Sequence, residues 1–258
     1  METTNNITYL NHSGFLIDSP TAILVFDYYQ DPSHSVERIV NENPEKPIIF
    51  LVSHHHYDHF NKAIFNLAPG RERVYIMSSD IRSSLKTDKT AEDSTLPIRW
   101  IMAGDTINEL PGDVTVKAFG STDVGVSYMV TLPSGTKIFH AGDFNYWHWQ
   151  DENSFAQVRR AYNKFVAIMM DVMSDVSNID IAFFPVDPRL GTDFAAGARL
   201  FLENIDVKYF FPMHFWGDYK DACDFPTYIP DNTDSFCLHV PGETVELTAT
   251  HARFLQLV

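Results

Sequence analysis

A chain of 258 residues, 45% hydrophobic and 14% aromatic, carries enough apolar surface for a large core, and twenty Phe with eleven Tyr argue against disorder. Thirty-four acidic against nineteen basic residues leave a formal charge of −15. Such a surface repels phosphate backbones and anionic lipid, which disfavours nucleic acid and membranes and leaves small molecules as expected partners, with a homo-oligomer open.

The amino terminus has neither the basic start nor the apolar run of a signal peptide, and the apolar stretch at 165–170 is broken by Asp171. Cys223 and Cys237 are able to pair, but two cysteines make no disulfide framework and form no CxxC zinc motif. These features predict a reduced, cytoplasmic chain. No linker or internal repeat stands out, so residues 1–258 read as one domain.

Along the chain, strands are predicted at 7–10, 15–18, 22–27 and 47–52, with a helix over 35–43 ending before Pro44. A helical segment at 61–67, a strand at 73–77 and a helix at 79–86 follow. Strands at 99–102, 106–110, 114–119, 126–132 and 137–140 are punctuated by Pro-Gly at 111 and Pro-Ser-Gly at 133. Phe155, Val158, Tyr162, Phe165, Met169 and Val172 recur every three or four residues, which predicts a helix with one apolar face. A strand at 179–186, a helix at 194–202 and strands at 207–212, 236–240 and 244–247 complete the pattern. The layout predicts an α/β (α+β) fold, two mixed sheets packed face to face with helices outside.

Behind the strand at 47–52 stands His54-His55-His56-Tyr57-Asp58-His59. A tag remnant is excluded by the internal position and the interruptions, which leaves a solvated loop or metal ligands. His54 and His56, two apart on an extended segment, point the same way and are able to grip one ion together. Asp58 and His59 lie beyond a turn and are placed for a second ion about 3.5–4 Å away. His55 and Tyr57 hold the alternate positions and read as supporting residues. Imidazole suits zinc, iron, nickel or copper, while the aspartate draws toward harder ions.

Here the chain resembles the metallo-β-lactamase superfamily of metal-dependent hydrolases. The resemblance rests on Val25-Phe26-Asp27, on His-x-His-x-Asp-His at 54–59, on His140-Ala-Gly-Asp143 and on Phe211-Pro-Met-His214, in the order that family uses. It implies an αββα four-layer sandwich with two divalent cations at one sheet edge, zinc first and manganese or iron as alternatives. It implies ligation by His54, His56, Asp58, His59, Asp143 and His214, with Asp27 holding the signature loop. The opening Tyr9-Leu-Asn-His12-Ser-Gly-Phe is similar to the branch with ascorbate-6-phosphate lactonase-like and phospholipase-D-like members, where a histidine on the first hairpin lies near the metals. That gives His12 a catalytic place, against a plain hairpin-turn role.

One landmark is missing. The family supplies a third histidine between the signature and the later aspartate, yet 116–125 contains none, and Gly120 stands at the expected place. Asp123 is the candidate replacement; the first site otherwise keeps His54, His56, Asp143 and water, or only the second site fills. An added carboxylate would balance charge and shift preference toward manganese or iron.

The expected activity is hydrolysis of a small ester, lactone or phosphoester by water that the cations acidify, with Asp58 orienting it or taking its proton. Trp147 and Trp149 would wall the substrate, Arg189 would clamp a carboxylate or phosphate, and His148 or His140 would assist proton transfer. Each has a bland counterpart: aromatics tucked into the core, a surface ion pair, buried structural rings. Two rival functions remain, a non-catalytic metal-binding protein and a diiron oxidoreductase on the same fold. The diiron branch carries Glu where His56 stands.

Overall fold

The computed structural model describes residues 4–85, 96–225, 229–248 and 250–255. Its architecture can be built outward from Ile48–Val52, apolar at every position and buried throughout. Such a strand must be covered on both faces. Ile49 and Leu51 join the core between two sheets, while Ile48, Phe50 and Val52 pack beneath the helix Ser35–Glu42 (α1), against its Val36, Ile39 and Val40.

In chain order the strands are β1 (Asn5–Asn11), β2 (Gly14–Asp18), β3 (Ile23–Phe26), β4 (Ile48–Val52), β5 (Arg73–Ser78), β6 (Ile98–Ile101), β7 (Thr106–Leu110), β8 (Val114–Gly120), β9 (Val126–Thr131), β10 (Lys137–His140), β11 (Asn178–Pro185), β12 (Asp206–Met213), β13 (Asp234–Ser235), β14 (Thr244–Leu247) and β15 (Ala252–Leu255). Among the described residues they form two mixed sheets, ordered β15-β14-β1-β2-β3-β4-β5-β6 and β13-β12-β11-β10-β9-β8-β7. Strands β3 to β6 run parallel, as do β10 to β13. The helices Ile81–Leu85 (α2) and α1 cover the first sheet. The helix Phe155–Asp175 (α3) covers β8, and Ala196–Asn204 (α4) covers β11 and β12. The result is the expected αββα sandwich.

Four expectations need correction. The segment 61–67 is a short 3-10 turn, Lys62–Asn66, capped by the Asn61 side chain. The helix expected over 79–86 begins at Ile81, and residue 86 lies outside the described residues. Phe236–Val240 is not a strand, because Glu243 Oε2 takes the backbone N–H groups of His239 and Val240 at 2.8 and 2.9 Å. The pairing with β12 lies just before this segment, at Asp234–Ser235. On α3 the apolar face is wider than the sheet it covers. Phe165, Met169 and Val172 are buried, whereas Phe155 is 78% exposed and Tyr162 is 41% exposed.

The two cysteines are also not free. Cys223, at the end of the helix Tyr219–Cys223 (α5), is disulfide-bonded to Cys237, so the reading of a reduced chain does not hold at this pair. The bridge closes a short loop, 14 residues apart in sequence, and tethers the segment that follows His214. Chain-entropy reasoning values a loop of about this size at roughly 3 kcal/mol. Cys223→Ser/Cys237→Ser is therefore expected to lose about that much in a denaturant titration, and reductant should have no effect on the variant. Among the described residues no helix is long and apolar enough to cross a membrane.

Candidate metal centre

Parallel strands bring their carboxyl ends to one edge of a sheet, and the loops after them build sites there. Asp27 follows β3, His54 follows β4, Asp143 follows β10 and His214 follows β12. His12 sits in the β1–β2 turn, and its carbonyl accepts the backbone N–H of His214 at 3.3 Å. Thus two sheets deliver five landmarks to one place.

Asp143 lies at the centre. Its Oδ1 is 3.0 Å from His59 Nε2 and 3.3 Å from His214 Nε2, while its Oδ2 is 3.2 Å from His54 Nε2 and 4.0 Å from His56 Nδ1. His12 Nε2 is 3.4 Å from Asp58 Oδ2, and the His12 and His214 rings are 4.2 Å apart. Three overlapping sets bring ligand atoms within reach of a shared ion: His12, Asp58, His59 and His214; His54, His59 and Asp143; and His56, Asp123 and Asp143. Both nitrogens of His12, Nε2 of His54, Nε2 of His59 and Oδ1 of Asp143 are buried with no hydrogen-bond partner. Buried polar atoms are almost always satisfied, so this concentration of orphans fits a cation cage.

Electrostatics point the same way. Burial, with His214 nearby, pushes His12 down to about 3, which keeps its ring neutral and its lone pair free. Burial opposes charge on Asp143, yet His59 and His214 outweigh it and hold the carboxyl well below its usual range. Asp58 is likewise depressed against burial by the His12 ring beside it and by His59.

Residues 16–215 match the family model described as a Beta-lactamase superfamily domain, which spans well over half of the chain. The chain belongs to the metallo-β-lactamase superfamily. It is 24% identical over 257 residues to a UPF0173 metal-dependent hydrolase of Rubrobacter xylanophilus, covering 93% of this chain and 90% of that one. Among solved structures, the fold is similar to Igni18, a metallo hydrolase of Ignicoccus hospitalis, with a TM-score of 0.63 at 16% identity over 95% and 98% of the two chains. It is also similar to CmlA, a diiron β-hydroxylase of Streptomyces venezuelae, with a TM-score of 0.59 at 11% identity, covering 96% of this chain and 54% of that one.

Within this superfamily member, three buried imidazoles of the cage, those of His54, His59 and His214, are braced on the far nitrogen. Asp27, fully buried, accepts the Ser53 N–H at 2.7 Å, the Ser53 hydroxyl at 2.6 Å and faces His59 Nδ1 at 2.7 Å. Ser53 Oγ stands 2.9 Å from His54 Nδ1. Asp187, absent from the sequence expectations, is fully buried, faces His214 Nδ1 at 2.9 Å and binds the Arg189 guanidinium through both carboxylate oxygens. Its position directly after a predicted strand was the signal available. Several non-glycine residues here adopt left-handed φ: His12 at 55°, Asp27 at 40°, Trp149 at 43°, His214 at 64° and Trp216 at 49°. Strain of this kind persists where a site over-determines the backbone.

The superfamily's third histidine has no counterpart. A Cβ on Gly120 would abut Ile168 of α3 at 3.3 Å. Asp123 Oδ2 is 3.8 Å from His56 Nδ1, and its loop is pinned to the Asp143 loop, since Thr122 Oγ1 donates to the carbonyls of Asp143 (3.1 Å) and Asn145 (2.6 Å). Gly125 closes that loop at φ +76°, where a Cβ would sit 2.0 Å from the Ser53 carbonyl.

A cavity of about 340 Å³ opens over the cage, lined by Asp58, Thr122, Asp123, Asp143, Trp147, Trp149, Arg189 and His214. The Trp147 and Trp149 rings stack at 6.4 Å, and Trp147 Nε1 donates to the Asp143 carbonyl at 2.8 Å. Arg189 also lies over Trp216, 5.5 Å from the ring centroid. His148 is not brought to this cavity. Its Nε2 is 3.2 Å from the Asp193 carbonyl and its Nδ1 accepts the Gln150 N–H, so its expected catalytic place gives way to a loop-holding one. His140, stacked on Phe26 with Nε2 2.9 Å from the Ser13 carbonyl, is likewise structural.

Proposed function

We propose that this chain is a metal-dependent hydrolase of a small ester, lactone or phosphoester, formed as one domain over residues 1–258. The observation that carries the reading is the set of buried, unpartnered ligand atoms gathered round Asp143. His54, His56, Asp123 and Asp143 would hold one divalent cation; Asp58, His59, His214 and Asp143 would hold a second, with His12 in reach of the same set. Zinc suits the imidazole-rich cage, and manganese or iron suits the carboxylates. Cations held there supply Lewis acidity toward water and toward the oxygen of the bond under attack.

The remaining steps belong to the chain's own groups. Asp58 lines the cavity as a carboxylate and takes the proton of the attacking water. Trp147 and Trp149 exclude solvent and lie along a flat or apolar part of the substrate. Arg189, oriented by Asp187, turns the rest of its guanidinium to a substrate carboxylate or phosphate.

Metal analysis of protein purified without added salts, followed by an esterase, lactonase and phosphodiesterase panel on wild type and Asp58→Ala, tests this reading. Bound metal with Asp58-dependent turnover supports it; bound metal without turnover leaves a metal-holding module. Arg189→Lys is expected to raise KM at least about tenfold for substrates bearing an anionic group and to leave neutral ones unchanged. Charge-assisted hydrogen bonds of about 1.5–3 kcal/mol set that scale. A second reading, a diiron oxidoreductase, is favoured by the carboxylate of Asp123 in the set that lacks the family's third histidine, and by the likeness to CmlA. Iron-reconstituted protein that consumes dioxygen with a reductant present, and hydrolyses nothing in the panel, would support it.

A further inference from the structure

His54, His59 and His214 each have a partner on the ring nitrogen that faces away from Asp143: Ser53 Oγ, Asp27 and Asp187. His56 is the exception. Among the described residues its ring makes no hydrogen bond, and it is 40% exposed, with the rings of His54 (4.6 Å) and His55 (4.8 Å) against it and the carboxylates of Asp123 and Asp143 on its Nδ1 side. The residue between His54 and His56 is, in contrast, held twice. Asp80 Oδ2 accepts the His55 backbone N–H at 3.0 Å and lies 2.7 Å from its ring Nδ1.

Asp80 is itself fixed. It follows β5, the parallel neighbour of β4, and precedes Ile81, which is fully buried. Ser79, beside it, donates its N–H to the Ile101 carbonyl at 3.0 Å. Asp80 Oδ1 is buried without a partner, so the carboxylate has been placed for His55 rather than solvated. This contact spans 25 residues and touches no ligand directly.

We propose that Asp80 is a positioning residue for the first cation cage. By clamping the backbone and ring of His55, it sets the φ/ψ of the His54–His56 segment and props the His55 ring against His56, whose own ring has no hydrogen-bonded brace among the described residues. The need is greatest in this chain because a third histidine is missing from that cage, so two imidazoles must hold position for three. The inference rests on the metal-binding reading above.

Cobalt(II) titration followed by visible absorption and calorimetry tests it on wild type, Asp80→Ala, Asp80→Asn and His55→Ala. The step that His56→Ala abolishes marks the first cage. Asp80→Ala and His55→Ala are expected to weaken that step 10- to 100-fold while leaving the other step at its wild-type affinity. Asp80→Asn, near-isosteric and still able to accept one N–H, should lose less and melt close to wild type. Unchanged affinity in Asp80→Ala, or equal weakening of both steps, would overturn the proposal while the metal reading stands. A wild type with no cobalt step that depends on His56 would overturn both.

Discussion

Asp143→Asn is expected to strip the centre of its metal and to lower hydrolysis by about three orders of magnitude or more. Among the described residues, Asp143 alone has two oxygens that reach four imidazoles, at 3.0 to 4.0 Å, and it is shared by two of the three candidate ligand sets. Asparagine keeps the shape but turns a donor NH2 toward one side and removes a negative charge from a cage built largely of imidazoles. A Lewis acid is worth several kcal/mol of transition-state stabilisation, and each 1.36 kcal/mol is tenfold in rate. Metal content by mass spectrometry and rates on the best substrate of the panel check the outcome. A variant retaining two metal equivalents and wild-type rates would remove Asp143 from the centre.

Asp27→Ala should be the most destabilising single change at the site, by about 3–5 kcal/mol. The carboxylate is fully buried and is held below its usual range despite burial, first by the charge on His59. Truncation leaves the Ser53 N–H and His59 Nδ1 facing a void without a partner, and the Ser53 hydroxyl with His54 Nδ1 alone. The loss falls on the loop that carries every signature residue, so metal affinity should drop with stability. Denaturant unfolding of the metal-free proteins isolates the folding component; a midpoint within error of wild type would show that the signature loop anchors itself.

Much of the fold was legible because strand and helix periods leave direct marks. Ile48–Val52 and Asp206–Met213 read as buried strands from apolar runs, and a polar ligand at the end of each marks the sheet edge. The cage was legible because spacing within 54–59 fixes which side chains share a direction. What escaped has no local code. Asp80 reaches His55 across 25 positions and Asp187 reaches His214 across 27, contacts that only the stacking of parallel strands creates. Period alone marks α3 as amphipathic without saying how wide a sheet lies beneath it, so Phe155 and Tyr162 were assigned to an interior they do not enter. His148 follows Asp143 closely in sequence, but the turn at Trp149 sends its ring to Asp193 instead.

The carboxylate of Asp187 answers to two masters, an imidazole on one side and a guanidinium on the other. Selection for a new ligand at position 189 would therefore be felt at position 214, and a lineage changing its diet would have to retune its grip on the cation in the same move. Chemistry and preference are wired through a single hinge pin in this protein, which narrows the routes by which either can drift.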